Sequence, residues 1–220
     1  MMRLLALDTA TEACSVALWV DGAVAMAQRR LMVRGHAEAL MPMVAAVMAE
    51  SGLAYGDIDA FAVTRGPGTF TGLRIGLAAA RGLALAATRP LIGLTTLEVL
   101  AASVPVARRG HSLMAAINAR RGEIYGQVFA TDLTPLGEPV ARSADALAAE
   151  PWVPPLQVVG TAARRMADLL GDGATALPGD GCPDAAVAVA LAATRSLPAV
   201  GVPVAPLYLR PPDARLPRTP

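Results

Sequence analysis

Residues Arg65 to Gly76 (RGPGTFTGLRIG) carry the pattern in this chain that is best suited to chemistry. A glycine-rich turn between an apolar run and a helix is a common cradle for phosphate, because backbone N–H groups and the helix dipole converge there. A G-x-x-x-x-G-K-[ST] loop needs a lysine to reach the phosphates. All 19 basic residues here are arginine, which also removes Schiff-base chemistry and lysine nucleophiles. A dinucleotide fingerprint needs G-x-G-x-x-G, whereas GPGTFTG spaces its glycines at two and then four. What remains is a ladder of small residues, Gly68, Gly72, Gly76, Ala80 and Ala84, each four apart. On a helix such a ladder lets another element approach closely. Three readings stay open: packing on the chain's own sheet, a surface for a partner, and direct phosphate binding.

The other reactive side chains assemble into no catalytic or metal site. His36 and His111 are the only histidines, and neither has the i+4 partner of a helical two-histidine metal site. His36, near a helix start and beside Glu38, reads as a surface residue. Cys14 and Cys182 are too few for a disulfide framework or a cysteine zinc site and read as small apolar residues. Ser15, Ser51 and Ser103 lack a nucleophile-elbow motif. The net charge of +1 supplies no global field to draw nucleic acid or membrane. The apolar part of MMRLLALDTA is too short for a signal peptide or a membrane span, so the expected location is cytoplasmic.

The elements that must position these residues follow from periodicity. LLALDTA reads as a buried strand ending at Asp8, CSVALWV as a second, and AVAMAQRRL as a third, with Asp21-Gly22 as a type I′ hairpin turn between them. HAEALMPMVAAVMAESG has helical period and ends at Gly52, with Pro42 expected to kink or restart it. Leu40, Val44 and Val47 form one apolar stripe of that helix, and Met41, Ala45 and Met48 a second. Two buried faces suit either a deep core helix or a helix that meets a partner. IDAFAVTRG reads as a strand, TGLRIGLAAARGLALAAT as a helix, PLIGL as a strand and TLEVLAAS as a helix.

Three meandering strands followed by helix, strand, helix and strand is the order of a ribonuclease H-like, or actin-like, half. After the polar boundary SVPVARRGHS, the stretch LMAAINARRGEIYGQVFA repeats the opening pattern, with Asn118 aligned to Asp8. QVVG then reads as a strand, and TAARRMADLL and DAAVAVALAATRS as helices. The expected class is therefore an α/β actin-like (ASKHA) fold of two lobes, with mixed sheets flanked by helices. The lobes span 1–103 and 104–210, and 211–220 reads as a disordered tail. Asp8, Thr9 and Thr11 stand where actin-like ATPases hold metal and phosphate, so they are the candidate nucleotide-binding residues. The alternative is an aspartate organising its own turn.

LLALDTATEACSVAL, RGHAEALMP, VTRGPGTFTGLRIGLAAARGLA, NARRGEIY and PLYLR together resemble the TsaB (YeaZ) family, in order from Arg3 to Arg210. The resemblance implies a non-catalytic subunit in the formation of threonylcarbamoyladenosine beside the tRNA anticodon. It also implies a heterodimer with a catalytic paralogue, TsaD, which carries a metal-binding histidine pair, and a small ATPase, TsaE, that completes the assembly. Because the net charge is near zero, tRNA is expected to be met only through the complex and no membrane is expected; alone, the chain is expected to form a homodimer, because the two-striped helix leaves an apolar surface. No cofactor is required of this chain, with room for ATP or ADP at a subunit interface. Because the family pairs through N-lobe helices, the resemblance points to Leu40, Met41, Ala45, Met48, Gly72, Gly76 and Ala80 as the partner surface. Asn118 departs from the aspartate usual in the family. The competing reading is an enzyme of the same fold, an ATP-dependent phosphotransferase or a metallopeptidase of the M22 type.

Overall fold

The computed structural model describes residues 2–210, so the expected tail at 211–220 lies outside the described residues. The first sheet contains β1 (Arg3–Asp8), β2 (Ala13–Val20), β3 (Ala23–Leu31), β4 (Ala60–Thr64) and β5 (Leu91–Leu94). Its order is β3-β2-β1-β4-β5, with β1, β2 and β3 antiparallel and β4 and β5 parallel to β1. Asp21 (φ 50°) and Gly22 (φ 94°) both have positive φ, as a type I′ turn requires.

Both faces of the central strands are covered, which is why LLAL shows no polar alternation. Leu5, Leu7, Val16 and Leu18 pack against α1 (His36–Ser51) and α2 (Phe70–Ala87) on one face. Leu4, Ala6, Ala17, Ala60 and Ala62 face the other way, against Val99 of α3 (Thr96–Ala102) and the last helix. α1 closes at Gly52, in the left-handed region at φ 69°. It runs through Pro42 as one helix, contrary to the expected restart. Buried Leu40, Val44 and Val47 on both sides of the proline hold it to the sheet, and that packing outweighs one lost backbone bond.

The second sheet repeats the first. Strands β6 (Ser112–Asn118), β7 (Glu123–Phe129), β8 (Val140–Ser143), β9 (Leu156–Val159) and β10 (Ala174–Ala176) are ordered β10-β9-β6-β7-β8. β6, β7 and β8 form an antiparallel meander, and β9 and β10 run parallel to β6. α4 (Ala144–Ala148) and α5 (Ala163–Leu170) cover one face of it. α3 covers the other through Leu97, Leu100 and Ala101, so one helix packs against both sheets. The sequence pattern missed β8, α4 and β10, which are too short to show a period. The final helix, α6 (Ala185–Ala193), returns to the first sheet, where Ala185, Ala188, Val189 and Ala192 are buried.

Candidate functional site

The duplicated topology aims four strand ends at one place. The segments after β1 and β4 in the first lobe, and after β6 and β9 in the second, converge on a cleft of about 710 Å³. Ligands of α/β proteins gather outside the carboxyl ends of parallel strands. Ala10, Thr11 and Glu12 line the cleft from β1, and Gly68, Thr69 and Phe70 line it from β4. Asn118 and Thr161 face them across it.

At the floor, the two first-lobe loops bind each other. Thr69 N–H donates to Ala10 O at 2.8 Å, and the Thr9 hydroxyl donates to Gly72 O at 2.7 Å. The Thr69 hydroxyl caps α2 by accepting from Gly72 N–H at 3.1 Å. A side chain at Gly68 would collide with Ala10 O, and one at Gly72 with Thr9 O. At Gly76 a Cβ would lie 2.6 Å from Thr9 Oγ1. The glycine ladder thus exists to let α2 and its loop lie against the turn at Thr9–Ala10. Ala80, one turn further along α2, is fully buried in the core.

Asp8 is buried and organises this turn. Its Oδ1 accepts from the Thr64 hydroxyl at 2.5 Å and from Ala10 N–H at 3.3 Å, while Oδ2 has no hydrogen-bond partner among the described residues. Burial pushes its pKa up to about 7, against the lowering effect of those two hydrogen bonds. At the equivalent end of β6, Asn118 offers no charge. Its backbone N–H donates to Thr161 Oγ1 at 2.9 Å, and its Nδ2 donates to Thr161 O at 2.8 Å. An aspartate could not make the second bond. Asp8 thus lies buried beneath the turn and Asn118 is uncharged, so neither of these two strand ends presents a carboxylate to the cleft that Ala10, Thr11, Gly68 and Thr69 line.

His36 departs from the expected surface position. It is buried, and its Nε2 lies 3.0 Å from Thr11 O, so that nitrogen carries the proton and donates to the carbonyl. The ring thereby ties the start of α1 to the same turn. Burial raises the thiol pKa of Cys14 to about 11 and also raises that of Cys182. Neither cysteine is a ready thiolate. Among the described residues no cluster of three or more His, Cys, Asp or Glu side chains could hold a metal.

The residues expected to meet a partner divide by exposure. Leu40, Met48, Gly72, Gly76 and Ala80 are buried within the chain. They face their own sheet and turn, which corrects their reading as contact residues. Met41 (43% exposed) and Ala45 face outward. Sequence reasoning missed the residues beside them: Ala46 and Ala49 on α1, and Ala78, Gly82 and Leu85 on α2, all exposed. Leu85 is 82% exposed. Their signal was present as further small and apolar positions outside the two stripes of α1 and the ladder of α2. α2 is also long and apolar enough by composition to cross a membrane, yet its Leu73, Leu77 and Ala84 are buried in the fold.

Two lobes of like topology whose strand ends share one cleft define an actin-like fold. A family model described as TsaD, tRNA N6-adenosine threonylcarbamoyltransferase, matches residues 29–168. The TsaB tRNA threonylcarbamoyladenosine biosynthesis protein of Escherichia coli (strain K12) is 48% identical over 131 residues, 60% of this chain and 56% of that protein. The chain thus matches only about half the length of the curated TsaB relatives. An uncharacterized protein of Mycobacterium tuberculosis (strain H37Rv) is 35% identical over 96% of this chain and 93% of its own. Among solved structures, YeaZ from Pseudomonas aeruginosa is 34% identical with a TM-score of 0.78, covering 88% of this chain and 92% of that one. Another P. aeruginosa protein, described as similar to peptidase YeaZ, is 33% identical with a TM-score of 0.82 and covers 96% and 100%. The chain belongs to the TsaB (YeaZ) family.

Proposed function

We propose that this chain is a non-catalytic, cytoplasmic subunit of the machinery that forms threonylcarbamoyladenosine on tRNA, and that it acts by docking to a TsaD threonylcarbamoyltransferase. The observation that carries this reading is the outer face of α1 and α2. The two helices lie side by side on one sheet face. They present Met41, Ala45, Ala46 and Ala49 beside Ala78, Gly82 and Leu85. Small residues on adjacent helices let a partner's helices approach to close packing, and contiguous exposed apolar surface marks an interaction site. The cleft supports the non-catalytic part, since Asp8 is buried and Asn118 is bound to Thr161. A small ATPase of the TsaE kind and tRNA itself would join through the complex. The division at 103/104 belongs to this proposal as a partner-binding first lobe and a supporting second lobe.

The test is capture of the native TsaD by the tagged full chain. A Cβ at Gly82 meets nothing among the described residues within 4 Å, so Gly82→Arg leaves the fold intact while placing a charged side chain on the docking face. Gly82→Arg and Ala45→Arg should each melt near wild type and lose capture by tenfold or more. Normal capture by both variants would sink the proposal. Stoichiometric zinc or iron in the purified chain, or ATP turnover by it, would favour an enzyme instead.

A further inference from the structure

Beyond its docking face, the chain carries a segment that ties the two lobes together across the mouth of the cleft. We propose that residues 204–210 form a latch, anchored permanently on the first lobe and fastened to the second by a releasable ion pair. The anchored end is built into the core. Val204 is buried and packs against Gly93, where any larger residue would collide with it. Its carbonyl accepts from Arg81 Nη2 at 2.5 Å. Leu207 N–H then donates to Arg65 O at 2.7 Å. Gly66, at φ 115°, leaves room for Leu207 O where a Cβ would sit 2.7 Å away. The middle of the segment rests on α2. Tyr208 stacks on Phe70 with ring centroids 5.7 Å apart, and the Arg74 guanidinium lies 3.7 Å over the Phe70 ring.

The other end is of a different kind. Arg210 Nε approaches Glu123 Oε2 at 2.8 Å, and Glu123 opens β7 of the second lobe. The two side chains are 20% and 33% exposed. Glu123 Oε2 itself is shielded from water and has no hydrogen bond of good geometry among the described residues. The contact is therefore an ion pair alone between two partly exposed side chains and is weak, whereas the Val204 end is held by core packing. Leu207 to Arg210 form one wall of the cleft. Releasing the ion pair therefore loosens that wall from Glu123 of the second lobe without unfolding the first.

Amide hydrogen exchange on the full chain tests the latch. Arg210→Glu and Glu123→Arg should each speed exchange in the peptides spanning 207–209 and 117–119 about two- to fivefold, the range for a lost part-exposed ion pair. Peptides of the first-lobe core should be unchanged and the melting temperature should move by only a few degrees. The double variant Arg210→Glu/Glu123→Arg restores opposite charges and should return exchange to the wild-type rate. Unchanged exchange in either single variant would overturn the proposal. So would a double variant that stays as fast as the singles, because the pair would then not be the fastener.

Discussion

Asp8 shows how one residue's environment decides its role. Its type and place after a strand suggested a metal or phosphate ligand, but its burial and its bond to Thr64 make it a structural carboxyl. Its pKa stands at about 7 in the fold against 3.8 for the free side chain. The folded state therefore holds the proton more tightly than the unfolded one. This side chain favours folding below pH 3.8, and that contribution falls as pH rises toward 7, reaching on the order of 4 kcal/mol of lost stability above it. Asp8→Asn keeps the shape and removes the ionisation. The variant should melt close to wild type at pH 4 and above wild type at pH 8, as read by thermal unfolding across the range. A Tm difference that does not change with pH would contradict this account. Asn118 is the converse case. Its residue type was legible in the sequence, but its bond to Thr161 was not, since the two lie 43 positions apart.

At the scale of an element, α2 separates glycines that look alike in sequence. Gly68, Gly72, Gly76 and Gly82 all sit in or before one helix; spacing put the first three on one ladder with its role open, and the family resemblance pointed to Gly72 and Gly76 as a contact surface. The fold assigns that surface to the turn at Thr9–Ala10 and leaves Gly82 in open space. Gly72→Ala should destabilise the chain by about 1–3 kcal/mol through overpacking, more than the ~1 kcal/mol of helix propensity it recovers. Gly82→Ala should stabilise it by up to about 1 kcal/mol. Denaturant unfolding of the two variants checks both signs, and equal effects would mean that α2 does not lie on the turn as described. The same reasoning applies to α1. Its two apolar stripes were visible in the sequence, yet Met48 of the second stripe is buried while Met41 and Ala45 are exposed. Helical period gives the angle between positions, but the tilt of the helix on the sheet sets where the buried arc stops.

For the whole molecule, the exposed α1–α2 face predicts association. Without a larger partner the chain should pair with itself through this face, since a closed two-fold arrangement is the common solution for a single exposed patch. Light scattering should report a concentration-dependent dimer for wild type and a monomer for Gly82→Arg. A wild-type monomer at every workable concentration would count against the shared face. The sequence by itself determined the order of elements in the first lobe and the strand–turn–strand repeat that opens the second, because strand and helix periods and turn residues are local properties. It also determined the want of lysine and of paired histidines. Only the tertiary structure decided that the glycines of GPGTFTG serve a loop contact, that α6 returns to the first sheet, and that residues 204–210 bridge the cleft to Glu123. Each of these depends on which distant segments meet, and local pattern shows that a residue is small, apolar or charged without showing what stands opposite it.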